Sequence, residues 1–241
     1  MRLDLLERLN AARAEKRRVC LVRLLDAGGV GLVVDGREVA GDPVPTDLLG
    51  AVELAHRRDQ SVAVDSSAGR AFLQVFNPPL RLIVVGAVHI AQALVPMASL
   101  AGYAVTVVDP RRAFATDDRF PDVTISTEWP DEAMEALAPD RRTAVVTLTH
   151  DPKLDDPALL VAIRSEAFYV GALGSKRTHA KRLERLREQG AAEADLVRIR
   201  GPAGLAIGAV SPAEIAVSVL AQMTEALRRG MEERAGTSPA A

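Results

Sequence analysis

RLIVVGAVHIAQALVPMASLAGYAVTVVDPR, residues Arg81 to Arg111, sets the architecture of this chain. Leu82 to Val85 is a short β-branched run that ends at Gly86. Ala104 to Val108 is a second, ending at Asp109. The apolar segment between them is made of helix formers, so the stretch predicts strand, tight turn, helix and strand. That is the first βαβ unit of a dinucleotide-binding fold. A glycine at the strand end lets the chain turn sharply, and the next helix then points its free N–H groups at an anion. Asp109 lies near the spacing at which an acidic residue meets a ribose hydroxyl. The turn itself reads GAVHIA, Gly86 to Ala91. A G-x-G-x-x-G/A fingerprint has glycine where this chain has Val88, so a branched side chain stands where a phosphate would sit.

Leu82 to Val108 contains no Asp, Glu, Lys or Arg and is long enough to span a bilayer. Gly86, Pro96 and Gly102, with the polar His89, Gln92 and Ser99, cut it into pieces of strand and helix length. Buried parallel strands flanking a buried helix have this appearance, and no membrane span is expected.

The chain has 241 residues, 48% hydrophobic and 26% charged, enough for a sizeable core without disulfides. A net charge of −2 and 3% aromatic residues argue against a nucleic-acid partner, which calls for basic patches and stacking platforms. Cys20 is the single cysteine, so no disulfide framework or cysteine-rich metal site forms within one chain. It lies in an apolar run and reads as a buried, inert thiol. The N-terminal residues lack the basic segment and apolar core of a signal peptide, and a cytoplasmic location is expected.

Before the central stretch, leucines at three-residue spacing predict a helix over residues 3–17. Strands are predicted at Val19–Leu25, Gly31–Val34, Gln60–Val64 and Ala71–Phe76, with a helix from Pro45–Thr46 to Arg58. This makes a small N-terminal α+β domain over residues 1–77, closed by the break Asn77-Pro78-Pro79. The second domain covers 78–230 and the remainder, 231–241, reads as a flexible tail. Within the second domain, strands at Val123–Ile125, Arg142–Thr149 and Phe168–Leu173 alternate with helices at Asp131–Ala138, from Pro157 to Ser165, and Lys176–Gln189. Alternation of this kind predicts an α/β, Rossmann-like, doubly wound parallel sheet. The last helix opens on Ser211, Pro212 and Glu214, a capping box with proline at the first helical position. Its wide apolar face is compatible with a homodimer.

Ligands of open α/β sheets bind beyond the carboxyl ends of the strands. The residues there are Gly86, Ala87 and His89; Asp109 and Arg111; Thr149, His150 and Asp151; and Gly174, Ser175, Lys176 and Arg177. Gly174-Ser175 ahead of a helix suits an anion, and Lys176 and Arg177 add positive charge although cations there oppose the helix dipole. His150-Asp151 reads either as an acid–base pair or as a residue capping a turn. The four histidines have no metal-ligand spacing, so no metal site is expected.

Five segments together resemble one family: the central stretch 81–111, FATDDRFPD (114–122), VVTLTHDPKLDDPAL (145–159), YVGALGSKRTHAKRLERL (169–186) and IRGPAGLAIGAVSPAEIAVSVLAQM (199–223). In order and nearly without gaps, they are similar to the XdhC/CoxI family, accessory factors of molybdenum hydroxylases such as xanthine dehydrogenase. The resemblance implies a chaperone that binds the molybdenum cofactor (molybdopterin) as cargo. It further implies support for sulfuration of that cofactor with a cysteine desulfurase, and for insertion into the apo-hydroxylase. Two departures stand out. The family usually reads GAGH where Gly86 to His89 read GAVH. The segments GS-x-PR-x-x-GA and GG-x-x-E of full-length relatives have no counterpart in residues 24–42, LLDAGGVGLVVDGREVAGD. Two other functions fit the residues: an NAD(P)-dependent oxidoreductase with Asp109 on a ribose, and a partner-docking scaffold without cofactor.

Overall fold

The structure, a computed structural model, describes residues 2–236. The chain divides between Pro78 and Pro79 into two compact units, the end of the last helix from Gly230 grouping with the first.

The first unit is an antiparallel sheet with a helix on each face. Its helices are α1 (Leu3–Ala14) and α2 (Leu48–Arg58). Its strands are β1 (Val19–Leu24), β2 (Val30–Val34), β3 (Arg37–Gly41), β4 (Val62–Ser66) and β5 (Gly69–Phe76), in the order β3-β2-β1-β5-β4. Period-two alternation sorts the core. Val19, Leu21, Leu32 and Val34 pack on Leu5, Leu9 and Ala12 of α1. Cys20, Val22, Val33 and Leu73 pack on Leu48, Val52 and Ala55 of α2. Sequence reading missed β3, which lies at the sheet edge and whose exposed Arg37 and Glu38 break the apolar pattern.

The second unit contains β6 (Leu80–Val85), α3 (His89–Leu100), β7 (Tyr103–Val108), β8 (Thr124–Ser126), α4 (Pro130–Leu137), β9 (Thr143–Thr147), α5 (Pro152–Arg164), β10 (Tyr169–Ala172), α6 (Lys176–Glu188), α7 (Glu193–Leu196), β11 (Ile199–Arg200) and α8 (Pro212–Gly236). All six strands are parallel, in the order β11-β10-β9-β6-β7-β8. The chain therefore leaves β6 in one direction and returns to its other side at β9, which puts the switch point of a doubly wound sheet between β6 and β9. Both faces are covered. Leu82 and Val84 join Ala91, Leu94 and Ala98 of α3 and Ala216, Val219 and Met223 of α8. Ile83 and Val85 join Met134 of α4, Leu159 and Ile163 of α5, and Leu186 of α6. Burial on both faces is why the strand sequences are continuously apolar.

Two boundaries differ most from expectation. Helix α5 opens at Pro152 rather than Pro157, because Asp151 caps it by accepting from Lys153 N at 2.9 Å and Pro152 occupies the first turn. Pro157 lies inside the helix. At the C-terminus α8 continues through Gly236, so residues 231–236 of the expected tail are helical, and 237–241 lie outside the described residues. Among the described residues no helix is long and apolar enough to cross a membrane.

Candidate functional site

The carboxyl ends of β6, β7, β9 and β10 bring the expected site residues to one edge of the sheet. At the switch point the β6–α3 turn lies directly against the β9–α5 loop. Gly86 has φ +110°, and a side chain there would begin 2.5 Å from Thr149 Cγ2 and 3.3 Å from its backbone N. Glycine is thus required twice, for the dihedral and for the space. Val88 is extended, with φ −97° and ψ 175°, a conformation open to any residue, and it packs against the core beneath α3. His89 opens α3 with an exposed side chain.

Asp109 is wholly buried, and its carboxylate fastens two turns. One oxygen accepts from Ala87 N at 2.8 Å and Arg111 Nη2 at 2.7 Å. The other accepts from Arg111 N at 3.0 Å and Nε at 2.9 Å. Burial alone would raise this carboxyl. The Arg111 side chain, with the amides of Ala87 and Arg111, outweighs burial and holds it below the usual value of 3.8. Both oxygens that would meet a ribose hydroxyl are therefore committed to the protein. Arg111, half-buried, also stacks on Phe114 with its guanidinium carbon 4.8 Å from the ring centre.

The β9–α5 loop is organised by Asp155, which sequence reading did not single out. Its buried carboxylate accepts from Thr149 Oγ1 at 2.7 Å, Thr149 N at 3.3 Å and His150 N at 3.1 Å. His150 takes φ +63° to make this possible, and its side chain is exposed. Asp151 spends its carboxylate on the α5 cap. Of the two readings of this dipeptide, the cap is the arrangement observed.

At the β10–α6 turn, Ser175 caps α6 by accepting from Thr178 N at 3.1 Å, and its Oγ lies 2.9 Å from Thr178 Oγ1. Lys176 and Arg177 are exposed in the first turn, which holds no acidic residue. Gly174 has φ +140° and fits against Thr178. Beneath this turn lies Arg182, 2% exposed. Its Nη2 reaches back to Leu173 O at 2.8 Å and lies 3.6 Å from Asp155 Oδ2. Burial raises the Asp155 carboxyl and lowers the Arg182 guanidinium from their ordinary values. Nε and Nη1 of Arg182 are buried and have no partner, as is Nδ1 of His179 one turn earlier. Sequence signals for both existed: His179, Arg182, Leu183 and Leu186 share the inward stripe of α6.

The family described as XdhC Rossmann domain matches this chain over residues 82–223. The chain belongs to the XdhC family. Among curated relatives, the molybdenum cofactor insertion chaperone PaoD of Escherichia coli is 34% identical over 148 residues, covering 61% of this chain and 40% of PaoD. YqeB of Escherichia coli, a protein of uncharacterised function, is 34% identical over 175 residues, covering 70% of this chain and 32% of YqeB. A probable xanthine dehydrogenase subunit of Bacillus subtilis is 33% identical over 162 residues, covering 66% and 46% respectively. The matched regions thus span less than half the length of each of these relatives. Among solved structures, a Bacillus halodurans protein described as a xanthine dehydrogenase shares the fold at TM-score 0.76 and 24% identity, over 98% of this chain and 70% of that one.

Proposed function

We propose that this XdhC-family chain binds the molybdenum cofactor as cargo at the carboxyl edge of its parallel sheet and supports its insertion into a xanthine dehydrogenase-type hydroxylase. The observation that carries this reading is the N-terminus of α6, whose first turn holds the exposed Lys176 and Arg177 and no acidic residue. Such a site suits the phosphate of a phosphorylated pterin. Family membership and the likeness to a protein named a molybdenum cofactor insertion chaperone support this choice of cargo.

In this reading Asp109 positions the first turn and presents Arg111, while the amides of Lys176 and Arg177 face the cargo. Support for sulfuration belongs to the same proposal, with sulfur delivered by a cysteine desulfurase partner. The chain's own Cys20 is unsuited to relay it, because burial pushes its thiol up to about 12. The engaged Asp109 carboxylate weighs against a nicotinamide dinucleotide in this crevice.

The test is anaerobic purification from a host that makes the cofactor, followed by molybdenum analysis and fluorescence of the oxidised pterin. Near-stoichiometric pterin is the expected result. Its absence, under conditions where a relative carrying the GAGH turn retains it, overturns the proposal and favours the docking scaffold.

A further inference from the structure

Pro78 and Pro79, where the chain passes from the first unit to the second, have no amide hydrogen to donate. The inner end of this linker is fastened instead by the side chain of Asn77. Its Nδ2 donates to the backbone carbonyl of His56 at 3.0 Å and to Asp59 Oδ1. Its Oδ1 lies 2.8 Å from His56 Nδ1. With Nδ2 given to two acceptors, Oδ1 is the accepting end, so the neutral imidazole carries its proton on Nδ1. The C-terminal end of α2 thus grips Asn77 through three hydrogen bonds.

His56 is 5% exposed, and its Nε2 is buried without a partner. Protonation would add an N–H and a charge at that atom, where the described residues offer no acceptor. The charged groups around the ring are Arg18 ahead of β1, Glu53 one turn earlier on α2, and Asp59 just past its end. Glu53 is held by Arg18 at 3.0 Å and Arg57 at 3.3 Å, and Asp59 accepts from Asn77. A helix C-terminus favours a cation, and Asn77, Glu53 and Asp59 pull the same way. Burial, helped by Arg18, outweighs them and holds the imidazole below its ordinary 6.5.

We infer that His56 and Asn77 form an acid-sensitive clamp on the end of the first unit, independent of any cargo. With the ring neutral, α2 grips Asn77 and the free linker starts at Pro78. With the ring charged, the imidazolium leaves its buried site for water, its bond to Asn77 Oδ1 is lost, and the free linker starts earlier, at the end of β5. The open form takes up its proton at the ordinary value and the closed form at a lower one. The clamp is therefore whole above about pH 6.5 and weakens as pH falls below it.

The test is a pH titration of the isotope-labelled full chain by NMR, from about pH 8 to about pH 5, following the His56 ring and the Asn77 side-chain amide. The expected result is one midpoint, below 6.5, shared by His56 Cε1–H and the Asn77 Nδ2 protons, which move to the position of a solvent-exposed amide. Backbone signals of β1 and β5 are expected to keep their folded positions through it. Their collapse at the same midpoint marks acid unfolding of the whole unit and overturns the inference. His56→Gln offers Asn77 Oδ1 a donor that does not titrate, and is expected to remove the Asn77 transition. An Asn77 transition that survives this substitution, or one that follows the Asp59 carboxyl, overturns the clamp. So does a His56 titration that leaves Asn77 unmoved. Should His56→Gln fail to fold, the wild-type titration decides by itself: a shared midpoint supports the clamp and separate midpoints refute it.

Discussion

Two halves of the same sheet edge are finished differently. At the ends of β6 and β7, hydrogen-bonding capacity is spent: Asp109 takes four hydrogen bonds from Ala87 and Arg111, and Gly86 closes against Thr149. On the β9 and β10 side, donors are left over. In this parallel-sheet unit the described buried side-chain atoms without a partner are Thr147 Oγ1, His179 Nδ1, and Nε and Nη1 of Arg182, all on β9 or α6. In a dinucleotide enzyme the phosphate sits at the first turn. Here the polar groups of that turn are engaged within the protein, and this unit's described buried side-chain atoms without a partner lie on β9 and α6.

Unlocking the closed half tests this contrast most severely. Gly86→Val combines a β-branched residue at φ +110° with a clash against Thr149. It is expected to cost about 3–5 kcal/mol from strain and overpacking together. A urea melt indistinguishable from wild type would refute the lock. Next comes Asp109→Ala, which strands the Ala87 amide and the Arg111 fork and is expected to cost about 2–4 kcal/mol. A loss of ligand binding with no change in the melt would instead make Asp109 a direct ligand contact.

The same carboxylate has a pH signature. Its folded value lies below the ordinary 3.8, so its contribution is fully present above that pH and is lost as pH falls through the lower folded value. Asp109→Asn is expected to flatten the acid limb of a stability–pH profile measured between neutrality and about pH 3. An unchanged limb would show that other carboxylates govern it.

Smaller effects belong to the open half. Ser175→Ala removes the α6 cap and is expected to cost about 1 kcal/mol in a thermal melt. If stability stays level, the Ser175–Thr178 contact contributes nothing to the fold.

Much of the architecture was legible in the residues. Runs such as Leu82–Val85 and Ala144–Thr147 are apolar on both faces, which only a strand covered on both sides tolerates. The glycine at 86 and the capping box at Ser211 marked their turns, the latter with Glu214 accepting from Ser211 N at 2.8 Å. Elements whose stability comes from pairing rather than pattern were not legible. Strand β3 is charged, and β11 is only two residues long.

Which residues stand at the strand ends was legible, and the contacts they make were not. Strand ends named Asp109, Thr149, His150 and Ser175 because the carboxyl edge of a parallel sheet is fixed by strand direction. Their roles came from packing. Packing alone fixed the order β11-β10-β9-β6-β7-β8, turned Asp109 inward as a clamp, made Asp151 a cap, and brought Asp155 and Arg182 from separate helices under one turn. Period and propensity act over a few residues. Which donor keeps an acceptor is settled only when distant segments meet, and at Arg182 that meeting leaves donors over.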